Sequence, residues 1–249
     1  MTEAEWLACA ESKTLLASLF ARSKGKSATD ERFRWFAVAC CRRVAEVLEF
    51  GDTYALDCLE IYATSGLREA LLKARRSHRT AGTAASNGLS QASDQAGEVR
   101  LRAASRAMAS SAVWTCTKTK PTQAAMAYRE AAVAAAYIRM VGGPIPKSHR
   151  YNQWLPPDPA ELATQTAILR DIFGSLFRPV VLSSEWRTDT AVSLAREMYE
   201  SRDFGAMPIL ADALQDAGCD SDDILSHCRD ANATHVRGCW VVDLVLGKE

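Results

Sequence analysis

Cys219, Cys228, His235 and Cys239, with His227 as a substitute, are the residues near the end of the chain whose types could hold a metal. Thiolate and imidazole are zinc ligands, and on a helix His235 and Cys239, four positions apart, would share one face. Their spacings of nine, seven and four residues match no familiar zinc pattern, and the tight Cys-x-x-Cys knuckle is missing. The plainer alternative is three small buried cysteines beside a capping or surface histidine. The expectation is no cofactor, with zinc as the alternative.

Two other chemistries can be weighed. A nucleophilic cysteine needs a base and an orienting group nearby. Four histidines, at 78, 149, 227 and 235, and many carboxylates are present, but nothing in the sequence assigns any of them to a cysteine as its base. No Gly-x-Ser-x-Gly elbow, phosphate-cradling glycine loop or His-Glu-x-x-His occurs. No catalytic residue is assigned, and a non-enzyme is favoured. Arg75, Arg76 and Arg79, followed by Arg100, Arg102 and Arg106, could neutralise phosphates. They lack interleaved aromatics for base stacking, so a solvated basic face is the plainer reading.

Charge sharpens that question. The chain of 249 residues carries 30 basic and 30 acidic side chains, but residues 65–150 hold a net +10 and residues 151–249 a net −8. Such a split suits either a polyanion partner or two parts that dock on each other; docking is the expectation. The hydrophobic share of 48% fits an ordinary globular chain. The longest apolar run, Ala131 to Ile138, is far short of the ~20 residues a membrane span needs. The start, Met1-Thr2-Glu3-Ala4-Glu5-Trp6, has no signal-peptide pattern. Eight cysteines without framework spacing then suggest reduced thiols in the cytoplasm, with Cys40 and Cys41 inside a buried helix.

The elements that must position these residues read as helices. Phe33, Phe36, Cys40, Cys41, Val44 and Val47 recur at three-and-four spacing in a helix opened by Thr29 or Asp30 and ended by Gly51. A stripe of Ala85, Leu89, Ala92, Ala96, Val99, Ala103 and Ala107 predicts a close-packed seam, its partner running from Pro121 to Val141. Glycines 82, 88 and 97 leave a loop over 80–98 as the alternative. Five of eight prolines fall between 144 and 159 and mark a boundary. Beyond it, helices are expected over Asp158–Phe173, after Thr188 or Asp189, from Pro208 to Gly218 and after Asp220. Val236–Leu246 is read as helix, with strand as the alternative.

Several stretches together carry a resemblance. They are Met1–Cys9, the Phe36–Arg43 helix, Leu169–Gly174 with Phe177–Val180, Leu210–Leu214 with Ala217–Cys219, and His235–Asp243. The chain resembles a large paralogous family of planctomycete bacterial proteins over roughly 1–65 and 160–249. It has Gly174-Ser175-Leu176-Phe177 where that family usually reads Gly-Asn-Pro-Phe. The resemblance implies a cytoplasmic helical protein and names no activity.

The sequence thus predicts an all-α protein. Residues 1–141 would form an N-terminal bundle with a variable Ala-rich hairpin at 82–141, residues 142–159 a Pro-rich crossing, and residues 160–249 an acidic helical subdomain. The favoured role is a cytoplasmic adaptor whose hairpin meets a protein partner. The alternatives are a nucleic-acid-binding module, and a zinc-stabilised domain or hydrolase at the C-terminal Cys/His cluster.

Overall fold

A computed structural model describes residues 1–22, 27–92, 97–141, 155–174, 177 and 180–248. Its elements are thirteen α-helices and two short 3-10 helices, with no strand among the described residues. The protein is all-α. No described helix is long and apolar enough to cross a membrane. Two compact units divide the chain: Leu19–Gln165, and Met1–Ser18 with Thr166–Glu249. The expected Pro-rich crossing lies outside the described residues as far as position 154.

In the Leu19–Gln165 unit the main helices are α3 (Ser27–Arg42), α4 (Phe50–Ser65), α5 (Arg68–Gln91), α6 (Glu98–Cys116), α7 (Pro121–Ala124) and α8 (Ala127–Met140). The aromatic face of α3 buries Phe33, Trp35 and Phe36 together with Cys40 and Cys41. That helix stops at Arg42, well before Gly51, and the chain passes through a 3-10 turn at Ala45–Val47. Gly51 serves a different purpose inside α4. A Cβ there would stand 3.1 Å from the Ala81 Cβ and 3.2 Å from the Ser77 carbonyl oxygen, so the glycine lets α4 and α5 touch. The Ser77 hydroxyl donates to the Gly51 carbonyl at 2.7 Å, and beside it the buried Asp52 carboxylate meets His78 Nδ1 at 2.7 Å.

Over 80–91 the Ala-rich middle is helical in place of the loop alternative, α5 continuing through Gly82 and Gly88 to Gln91; residues 93–96 lie outside the described ones. The small-residue seam is not one stripe. Gly97, with φ of +78°, opens α6 on a new rotation. Val99, on the expected stripe, is 54% exposed, while Leu101, Ala104, Ala109 and Ala112 turn inward. Leu101 and Ala104 cluster with Val133 and Tyr137 of α8, and the small side chains let the two helices pack extensively.

The other unit contains α1 (Glu3–Ala8), the start of α2 (Ser12–Arg22), the end of α9 (Pro159–Phe173), then α10 (Asp189–Ser201), α11 (Met207–Asp216), α12 (Asp222–Arg229) and α13 (Trp240–Leu246). Thr2 and Glu5 close a capping box on α1, and Thr188 caps α10 by accepting from the Ala191 amide. The Arg170 guanidinium of α9 donates to the Trp6 and Cys9 carbonyls at 3.0 and 2.6 Å, and Ser12 meets Thr166 at 2.8 Å. Those bonds fasten the first residues to α9. The Val-rich ending is a helix, burying Val241, Val242 and Val245. All eight cysteines are free, and only Cys9 is not buried.

Candidate metal centre

Three pieces of chain meet at one point in the Met1–Ser18, Thr166–Glu249 unit. Helix α9 supplies Asp171, α12 supplies His227, and the turn entering α13 supplies His235 and Cys239. One donor atom from each lies within 4.8 Å of every other. Asp171 Oδ1 stands 2.7 Å from His235 Nδ1 and 3.2 Å from His227 Nε2. Cys239 Sγ lies 3.3 Å from His227 Nε2 and 3.9 Å from His235 Nδ1. The second carboxylate oxygen of Asp171 accepts the Val236 amide at 2.9 Å, which anchors the turn to α9.

His235 and Cys239 do not share a helix face as the spacing suggested. They lie in a tight turn, closed by the Cys239 amide donating to the Val236 carbonyl at 2.9 Å. Gly238 makes that turn possible with φ of +90°, a backbone that side-chain-bearing residues rarely adopt. Arg237 fixes it from outside, donating to the carbonyls of Tyr199 and Glu200 at the end of α10. Trp240 completes the surround: its indole N–H points at His227 Nδ1 from 3.3 Å, and its ring covers Gly174, where a Cβ would come within 2.7 Å of the indole.

Burial alone would lift the Asp171 carboxyl, but the hydrogen bonds and charges of His227 and His235 together hold it below the ordinary aspartate range. Burial, with the Asp171 charge beside it, pushes the Cys239 thiol well above the usual cysteine range. His235 Nε2 is buried with no hydrogen-bond partner. A buried polar atom left unsatisfied marks a place shaped for something besides stability.

Two chemistries compete for such a cluster. In a nucleophile relay, the thiol and the carboxylate must address opposite nitrogens of one imidazole. Here Asp171 and Cys239 face the same nitrogen on each ring, so neither imidazole relays a proton from sulfur to carboxylate. Convergence on a common point is instead what a cation requires. A tetrahedral zinc, with bonds of about 2.0–2.3 Å, spaces its ligand atoms by about 3.3–3.7 Å. The separations of 3.2, 3.3 and 3.9 Å bracket that spacing; the 2.7 Å Asp171–His235 contact would have to open, and every donor pair already lies within 4.8 Å. One carboxylate and one thiolate also neutralise a divalent ion, which suits a buried site. A cavity of about 540 Å3 reaches Asp171 and His227 and gives an entry path.

The candidates from sequence divide accordingly. His235 and Cys239 belong to the converging set, and His227 takes the place held open for it. Cys219 and Cys228 are buried outside that set. Burial, then the nearby Asp171 charge, pushes the Cys228 thiol up to about 12, the behaviour of a core residue. Asp171 went unnoticed in the sequence. Its signal was a carboxylate three residues after Ile168, on the face of α9 that buries Ile168 and Ile172.

The six arginines do not form one phosphate-facing stripe. Arg75 donates to the Thr117 carbonyl at 2.8 Å and to the Thr119 hydroxyl at 2.9 Å, Arg102 pairs with Glu98, and Arg106 meets Glu49 at 3.3 Å. Arg100 is half-buried on α6, and Arg76 and Arg79 are exposed on α5. No family model matches the chain, and neither does any curated protein or solved structure.

Proposed function

We propose that this chain is a zinc-binding helical protein whose ion ties α9, α12 and the 235–239 turn together. The observation that carries the reading is the convergence of Asp171, His227, His235 and Cys239 on one point within 4.8 Å. Four protein ligands fill a tetrahedral shell, which makes the role structural rather than hydrolytic. Asp171 and Cys239 supply the balancing charge, the two imidazoles supply neutral nitrogen, and the Val236 amide steadies the Asp171 carboxylate from behind. The expected adaptor role stays a separate proposal, which this site does not address.

The experiment is metal analysis of protein purified without an affinity tag that binds metals, followed by zinc titration against a chromophoric chelator. One zinc per chain is expected. Cys239→Ser and His227→Ala should each weaken zinc by more than about a hundredfold, beyond the loss typical of outer-shell changes. Cys228→Ala should leave affinity unchanged. Absence of zinc from the purified protein, with no uptake on titration, would overturn the proposal.

A further inference from the structure

A second cavity, also about 540 Å3, opens between α5 and α6 in the other unit, and its lining contains no carboxylate. We infer that it is a binding site for a small phosphorylated ligand, held by Arg79, Arg75 and Ser110. The inference is independent of the metal centre, which lies in the other compact unit.

Three observations support it. Ser110, one of the lining residues, is 2% exposed, and its buried hydroxyl has no hydrogen-bond partner. A buried hydroxyl without a partner is a donor held ready for an acceptor that is not part of the chain. Arg75 and Arg79, one turn apart on α5, both line the cavity. Arg75 is oriented by neutral oxygens of Thr117 and Thr119, and Arg79 has no carboxylate partner among the described residues. Two guanidinium charges beside one cavity, neither neutralised, create the field that a phosphoryl dianion complements. Asn87 and Ser86 add neutral polar groups from the next turns of α5.

The remaining wall is aromatic. Trp114 is half exposed and stacks on His78 with ring centroids 5.5 Å apart, while His78 is pinned from below by Asp52 at 2.7 Å. Gly82 makes that arrangement possible: a Cβ there would fall 2.8 Å from the imidazole, in the space the ring occupies. The site therefore presents guanidinium and hydroxyl donors beside an aromatic surface fixed by His78, with the Lys118 ammonium 4.5 Å from the Trp114 ring centroid. That combination favours a compact organic phosphate over an extended nucleic-acid backbone, since a concave site with few convergent donors suits a small ligand.

Calorimetric titration with inorganic phosphate, phenyl phosphate and random-sequence duplex DNA tests this. One saturable site is expected for both phosphates, with phenyl phosphate the tighter because its ring meets the Trp114 wall. Arg79→Ala should weaken both by about ten- to a hundredfold, the range for one charged hydrogen bond. Arg76→Ala, outside the cavity, should change neither. Ser110→Ala should weaken phosphate binding while raising the thermal midpoint, because it removes an unsatisfied buried hydroxyl. A merely structural serine would not show that opposite pair of effects. Failure of both phosphates to bind would overturn the inference, as would binding indifferent to Arg79→Ala. Duplex DNA binding that is lost in Arg79→Ala while the small phosphates stay silent would overturn it in favour of a nucleic-acid surface.

Discussion

At the scale of single residues, the tautomer of His227 links the metal to a spectroscopic signal. The Trp240 indole N–H faces His227 Nδ1 at 3.3 Å, so without a metal that nitrogen accepts and Nε2 carries the proton toward Asp171. His227 could hold zinc through Nε2 only with that nitrogen deprotonated, which would leave the proton on Nδ1 and set it against the indole N–H. Zinc should therefore shift tryptophan emission, and the shift should vanish in Trp240→Phe, which keeps the ring against Gly174. An emission change that survives Trp240→Phe would show that the indole reports nothing of His227. Asp171 offers a second test. Asp171→Asn leaves two imidazoles around an amide and weakens the hydrogen bonds that Asp171 makes with both rings and the Val236 amide, so unfolding by urea should become easier by about 1–3 kcal/mol even without zinc. Residue type made His235 and Cys239 visible in the sequence. Asp171 was hidden because it stands 64 positions before His235 and only the packing of α9 brings it there.

At the scale of elements, two helix contacts carry measurable consequences. Gly51 sits where α4 crosses α5, and the atoms facing it are a Cβ at 3.1 Å and a backbone oxygen at 3.2 Å, neither free to swing aside. Gly51→Ala gains helix propensity worth up to about 1 kcal/mol but forces the helices apart at a typical cost of about 1–3 kcal/mol. Net destabilisation is expected, read as a lower urea midpoint at unchanged slope. On α8, burial raises the Glu130 carboxyl above its ordinary 4.5, against the opposing hydrogen bonds from Thr115 and Ser111. The folded value lies above the unfolded one, so the stability tied to this group is present below the unfolded value and lost as pH rises through the folded one. Glu130→Gln should therefore stabilise the protein near neutral pH and flatten its loss of stability on the way up from acid. A variant less stable than the parent at neutral pH would contradict that sign. The sequence revealed these helices through spacing, yet it misread Gly51 as a stop and joined α5 to α6 across Gly97. A glycine in sequence has one symbol for two uses, close approach and positive φ, and only the neighbour across the contact tells them apart.

At the scale of the whole molecule, composition made the helical class and the charge split legible, but not which groups neutralise which. Arg43 pairs with Glu161 at 2.8 Å and Arg139 with Asp158 at 2.9 Å, so the acids on either side of Pro159 belong with the bundle of residues 19–165. The basic helices also find internal partners, such as Glu49 and Glu98, where the sequence suggested a distant acidic tail. What the two compact units imply for the metal is specific. Arg170 holds the carbonyls of Trp6 and Cys9, and the adjacent Asp171 holds the imidazoles, so α9 joins the first residues of the chain to the proposed zinc ligands. Removing the ion should loosen α9, α12 and the 235–239 turn, and through Arg170 also α1. Hydrogen exchange with and without a chelator checks this. Faster exchange is expected over residues 3–9 and 166–246, with residues 30–140 unchanged. Equal acceleration in both units would mean that they unfold as one, and acceleration confined to 227–239 would mean that the ion orders its own turn without holding α9.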